Sequence, residues 1–132
     1  MRRAKLLGFL FLSAISTVAS AQELSRATIY FFDWHTAVIV ALKVDDVRIG
    51  YHTRIEIADS VEATRFGVWI RERKFEPSPK SKTIDVRLVI DLYDTKGGAQ
   101  TFFADRFRVY AEGGATSAPI DEAFRERFKI SK

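Results

Sequence analysis

A mainly β fold is what this sequence predicts: a single antiparallel β-sandwich, or a partly open barrel, of six to seven strands with a short C-terminal helix. Three observations carry that expectation. The dominant apolar period along the chain is two, turn residues recur at short spacing, and no helical pattern stands between the apolar runs, which favours antiparallel pairing over βαβ units. Strands of about 8 to 11 residues in this number suit the sandwich better than the barrel.

The clearest strand sets Ile84, Val86, Leu88, Ile90 and Leu92 against Asp85, Arg87, Asp91 and Tyr93, interrupted only by Val89. One face of such a strand is buried. Asp94-Thr95-Lys96-Gly97-Gly98 then supplies residues able to take positive φ, and Gln100 to Tyr110 resumes the alternation, so the pair reads as a hairpin. The alternation slips around Ala104 and Asp105, where a β-bulge fits. Upstream, Ala27 to Asp33 makes a first strand. Thr36 to Val44 is rich in β-branched residues, Asp45-Asp46 can turn, and Val47 to Ile57 reads as one strand, or two interrupted near Gly50 to Thr53. Thr64 to Lys74 alternates Phe66, Val68 and Ile70 with Arg65, Trp69, Arg71 and Arg73. It ends before Pro77 and Pro79, which cannot continue a central strand.

Glu112-Gly113-Gly114-Ala115-Thr116-Ser117 breaks the sheet. Pro119 suits the first turn of a helix, with Asp121 and Glu122 near its positive end, and Ile120, Phe124 and Phe128 recur at i, i+4 and i+8. A helix over about 119–130 should dock this stripe on the sheet.

The N-terminus carries an address. Arg2, Arg3 and Lys5 precede an apolar run from Leu6 to Val18 that is too short to span a bilayer, and Ala19-Ser20-Ala21 forms a small-residue cleavage site. The expectation is a cleaved secretory signal over 1–21, one domain over 22–132, no transmembrane anchor in the mature chain, and a periplasmic or secreted location. Removing the signal leaves 18 Lys plus Arg against 17 Asp plus Glu, a net charge of about +1. The basicity of the whole chain belongs mostly to the signal, so a nucleic-acid partner has no concentrated basic surface to recommend it. With no cysteine anywhere in the chain, packing alone must hold the fold.

Catalytic chemistry finds few residues to use. His35 and His52 are the only histidines, and Asp33-Trp34-His35-Thr36 reads most simply as a turn in which Asp33 and Thr36 satisfy backbone groups. No His-Glu-x-x-His, Gly-x-Ser-x-Gly or calcium-loop spacing is present, so the sequence implies no metal and no cofactor. The acid pairs Asp45-Asp46 and Asp91/Asp94 sit at expected turns rather than across a substrate. One surface stands out. On a strand, Arg65, Trp69, Arg71 and Arg73 would share a face, with Gly67 leaving space, and Arg106, Arg108 and Tyr110 could extend it. Guanidinium forks beside an exposed indole suit anionic glycan, lipid headgroups or an acidic protein surface.

These features favour a small periplasmic binding or accessory protein: an inhibitor, an immunity-type protein or an envelope-assembly helper. Such a protein would hold a protein or anionic-glycan partner through a sheet face or an edge strand. The competing expectation is a small hydrolase or ligand-binding barrel using His35 or His52 with a nearby carboxylate.

Overall fold

The computed structural model describes residues 23–79 and 83–130; the signal segment expected over 1–21 lies outside them. The elements in chain order are β1 (Leu24–Phe31), α1 (Val44–Gly50), β2 (Thr53–Ile57), α2 (Ser60–Arg71), β3 (Glu76–Pro77), β4 (Leu88–Asp94), β5 (Ala99–Ala104), β6 (Arg108–Ala111), a 3₁₀ turn (Glu112–Gly114), β7 (Thr116–Pro119) and α3 (Glu122–Phe128). Seven strands make one open sheet in the order β2-β1-β4-β5-β6-β7-β3, and every neighbouring pair is antiparallel. The mainly β, antiparallel class with a short C-terminal helix is therefore the one the sequence predicts. Helices, rather than a second sheet, supply the covering layers.

Strand parity separates two cores. Ile29 lies opposite Ile90, which lies opposite Phe102, while Leu88 faces Ala104 and Ala104 faces Val109. These side chains share one face, which Ala63, Phe66 and Ile70 of α2 and Phe124 of α3 cover. On the other face Val89, Phe103 and Tyr110 pack with Val47 of α1 and with Val86. With both faces buried along β4, Val89 is a core residue of the second face, which explains the break in the alternation. Arg48 of α1 fixes that helix to the sheet. Its Nη2 donates to Asp91 Oδ1 at 2.7 Å and to Thr101 Oγ1 at 3.0 Å, and Nε donates to Asp91 Oδ2 at 3.0 Å. The hydrogen bonds to Asp91 raise the Arg48 pKa further above its ordinary range.

The hairpin from β4 to β5 forms as its turn residues require. Asp94 Oδ1 accepts from the Lys96 and Gly98 amides at 2.8 Å each, and Gly97 takes φ 86°. The sheet does not end at Glu112, because the 3₁₀ turn folds the chain back and β7 pairs with β6. Pro119 closes β7 opposite Arg108 instead of opening a helix. The α3 N-cap is Asp121, whose carboxylate accepts from the Phe124 amide at 2.9 Å. The helix ends at Lys129 in the left-handed region, and buried Ile130 tucks in behind it.

Of the expected strands, Thr36 to Val44 and Thr64 to Lys74 are not strands, Val47 to Ile57 is one only from Thr53, and Gln100 to Tyr110 is a second hairpin that turns after Ala104 where the alternation fits a bulge. Thr64 to Lys74 lies mostly in α2, where buried Ala63, Phe66, Gly67 and Ile70 give the i, i+3, i+4, i+7 set of a helix against a sheet. Asp59 caps this helix through the Val61 amide at 3.1 Å. A Cβ on Gly67 would meet Leu24 Cδ1 at 2.5 Å, so the glycine lets α2 approach β1 rather than opening space between arginines. Asp45-Asp46 is the acidic first turn of α1, with Asp46 Oδ2 accepting from the Lys43 amide at 2.8 Å. Thr36 to Val44 runs as a loop up to the start of α1, because side chains claim its backbone at both ends.

Candidate binding site

The expected stripe lies on and just after a helix rather than on a strand, with Arg65, Trp69 and Arg73 spaced at i, i+4 and i+8 and Arg71 off that row. Arg65 and Trp69 stand one turn apart on α2, Arg71 ends the helix and Arg73 follows it. Each has a local role. Arg65 pairs with Glu62 at 3.6 Å, and Arg71 sends Nε and Nη2 to Gln100 Oε1 at 3.0 and 2.8 Å. Burial lowers the Arg71 pKa. Arg73 binds Asp121 at 2.8 Å and lies 4.3 Å from the centre of the Trp69 ring. Trp69 is half-buried, stacked on Phe124 at 5.7 Å, with the Arg127 guanidinium 4.7 Å from its ring centre. The cluster joins α2 to α3 through aromatic and cation–π contacts.

The histidines are also occupied locally. His52 Nδ1 accepts from the Asp33 amide at 3.0 Å, and its ring stacks on Phe32 at 4.2 Å. Asp33 Oδ1 accepts from the His35 amide at 2.9 Å, as a turn aspartate does. Among the described residues no group of three His, Cys, Asp or Glu side chains could hold a metal ion.

What the fold does bring together is the extension: Arg106, Arg108 and Tyr110 line a cleft of about 810 Å³ with Ser78, Asp85 and Phe107. That volume suits a small ligand or an inserted segment of a partner. The β5–β6 turn forms its floor. Asp105 Oδ1 accepts from the Phe107 and Arg108 amides at 2.8 Å each, and Asp105 Oδ2 accepts from the Tyr110 hydroxyl at 3.1 Å. Burial, reinforced by the Asp105 charge, pushes the Tyr110 pKa up to about 12.

Opposite lies Asp85, whose Oδ2 takes Nε and Nη2 of Arg87 at 3.0 and 2.8 Å, while Oδ1 accepts the Leu42 amide at 2.9 Å. Arg87 is buried, and its Nη1 donates to the carbonyls of Asp33 and Thr36 at 2.8 and 2.6 Å. The two cleft carboxylates are thus supplied with donors by the protein itself.

The two cleft arginines are different. Arg108 gives Nε to Ser117 Oγ at 2.8 Å, and Arg106 gives Nη2 to the Trp34 carbonyl. Neither has a carboxylate at ion-pair distance among the described residues. Arg108 is half-buried, so its charge is partly removed from water without a counter-ion. Ser78 Oγ, also in the lining, is buried with no hydrogen-bond partner. The unused hydrogen-bonding capacity of the cleft is therefore donor-rich and positive.

The sheet also has two free edges, the two-residue β3 and the longer β2, where Thr53 to Glu56 are exposed. Arg54 and Glu56 pair across it at 3.4 Å, and Glu56 also takes Arg26 at 3.3 Å, a charged rim of the kind that discourages strand addition. Compared with protein-family models, with curated proteins and with solved structures, the chain matches none.

Proposed function

We propose that this chain is an exported binding protein, not a catalyst, that holds an oxyanion-bearing component of the cell envelope in the cleft at Arg106 and Arg108. One observation carries the reading: the cleft carboxylates are satisfied internally, while among the described residues its arginines have no carboxylate at ion-pair distance. A carboxylate or phosphate would supply the counter-ion that Arg106 and Arg108 do not have among the described residues and an acceptor for Ser78 Oγ, and charge-assisted bonds of that kind are stronger than neutral ones. The same ligand class was expected at Arg65, Trp69, Arg71 and Arg73, but there Arg65 and Arg73 already hold carboxylates, even though Arg73 keeps Nε and Nη2 buried without a partner among the described residues. The export signal supports an envelope partner, an anionic glycan or an acidic protein segment. Neither histidine lines the cleft, so the reading needs no imidazole.

Titrating the mature protein with glucuronate and with glycerol phosphate, followed by amide chemical shifts, tests this. Shifts should concentrate at Ser78, Arg106, Arg108 and Tyr110, and Arg106→Ala with Arg108→Ala should weaken binding at least tenfold. His35→Ala with His52→Ala should leave the affinity unchanged. Absence of any shift at the cleft would sink the reading.

A further inference from the structure

Resting on that reading, we infer that the source of the oxyanion is a lipid headgroup, and that the cleft end of the sheet docks on an anionic membrane surface by inserting apolar loop tips. Phe31, Leu88 and Ala104 lie in successive register across β1, β4 and β5, so the loop leaving β1 and the turn leaving β5 emerge at the same end of the sheet. Those two segments carry three of the most exposed large apolar side chains: Ile39 at 105%, Val40 at 74% and Phe107 at 73%. The stretch Thr36-Ala37-Val38-Ile39-Val40-Ala41-Leu42 contains no charged residue. Isolated apolar side chains on a surface need no explanation, but a charge-free run with two adjacent branched side chains turned outward at its bend marks a contact surface.

The loop is also kept from collapsing. The buried Arg87 side chain holds the Asp33 and Thr36 carbonyls, Asp85 holds the Leu42 amide, and the Val86 amide donates to the Leu42 carbonyl at 2.9 Å. One ion pair therefore clamps both ends of the loop, leaving Ile39 and Val40 at its bend. Arg106 ties the neighbouring turn to this base through the Trp34 carbonyl.

Arginines without counter-ions beside outward apolar tips reproduce the chemistry of the bilayer boundary, where a phosphate layer overlies acyl chains. A soluble anion would use the arginines and leave Ile39, Val40 and Phe107 in water. No helix among the described residues is long and apolar enough to cross a membrane, so attachment would be peripheral. The mature net charge of about +1 supplies no long-range field. Salt should then weaken binding only through the two arginines.

Co-sedimentation of the mature protein with vesicles of phosphatidylethanolamine and phosphatidylglycerol, against vesicles of phosphatidylcholine alone, decides the matter, with glycerol phosphate titrated in parallel. The native chain should sediment with the anionic vesicles. Ile39→Ser with Val40→Ser, at positions too exposed to affect folding, should reduce partitioning at least tenfold while glycerol phosphate still binds. Glycerol phosphate binding without vesicle binding would overturn the inference and leave the oxyanion reading standing; loss of both would overturn both. Vesicle binding that ignores the Ile39 and Val40 changes would also overturn it, as would loop-dependent association with an envelope protein in place of lipid.

Discussion

Arg87 ties the start of β4 to the loop that leaves β1. Its guanidinium is buried against Asp85 and two carbonyls, and it lies 5.4 Å from the centre of the Phe32 ring. Removing one member of a buried charged pair leaves its partners without donors, so Arg87→Ala should cost about 3 kcal/mol, read as a lowered urea midpoint at unchanged m-value. Tyr110 gives a second expectation. Its pKa is raised from 10.0 to about 12, so the folded state holds the phenol proton more tightly than the unfolded chain. The resulting stability is fully present below pH 10 and is lost as pH rises through about 12. Absorbance at 295 nm should show Tyr110 titrating late, and Tyr110→Phe should flatten the alkaline fall in stability. Gly67→Ala should cost about 1–3 kcal/mol in thermal unfolding, because the added methyl must displace the Leu24 tip.

Helix caps and element types reward the same accounting. Asp59→Ala removes one cap and should cost about 1 kcal/mol, whereas Asp121→Ala removes a cap and the carboxylate paired with Arg73, and should cost more; paired urea melts would rank them. How legible each element is in the sequence follows from which signal dominates locally. The β4–β5 hairpin is plain because period, turn chemistry and strand propensity agree. The α3 stripe is plain too, although Pro119 looks like a helix opener and serves as a strand end. For α2 the signals conflict. Thr64, Phe66, Val68, Trp69 and Ile70 are strand formers, and over five residues their alternation mimics a period of two. The helical set appears only when Ala63 and Gly67 are counted as buried, and small residues carry little weight in a hydrophobic pattern. Val68, inward on a strand, is 42% exposed on the helix. The loop before α1 has strand composition, yet Arg87 and Asp85 take its backbone bonds, and no local pattern announces a side chain 50 residues away. The cleft was half legible for the same reason. Arg106, Arg108 and Tyr110 stand out, but their lack of counter-ions depends on where Asp85 and Asp105 spend their acceptors.

At the scale of the whole molecule, the sheet order separates chain neighbours. β2 and β3 flank α2 in sequence and occupy opposite edges of the sheet, so α2 crosses one face as a strap while β4, β5, β6 and β7 follow one another as a meander. The membrane or ligand contact proposed above would be confined to one end of this layout, leaving the strap free of any direct role in binding. The strap has a consequence in time rather than in space. The meander closes by short turns, whereas β1 must find β4 across about 60 residues, a pairing of high loop-closure cost. Substitutions such as Phe102→Leu should therefore slow refolding, and Phe66→Leu in the strap should mainly speed unfolding, in stopped-flow experiments. β1, β2 and α2 can pack on one another early, but the face that α2 covers is completed only when β4 and β5 join it. For the export proposed above, that late completion would leave the chain slack enough to thread a translocation pore.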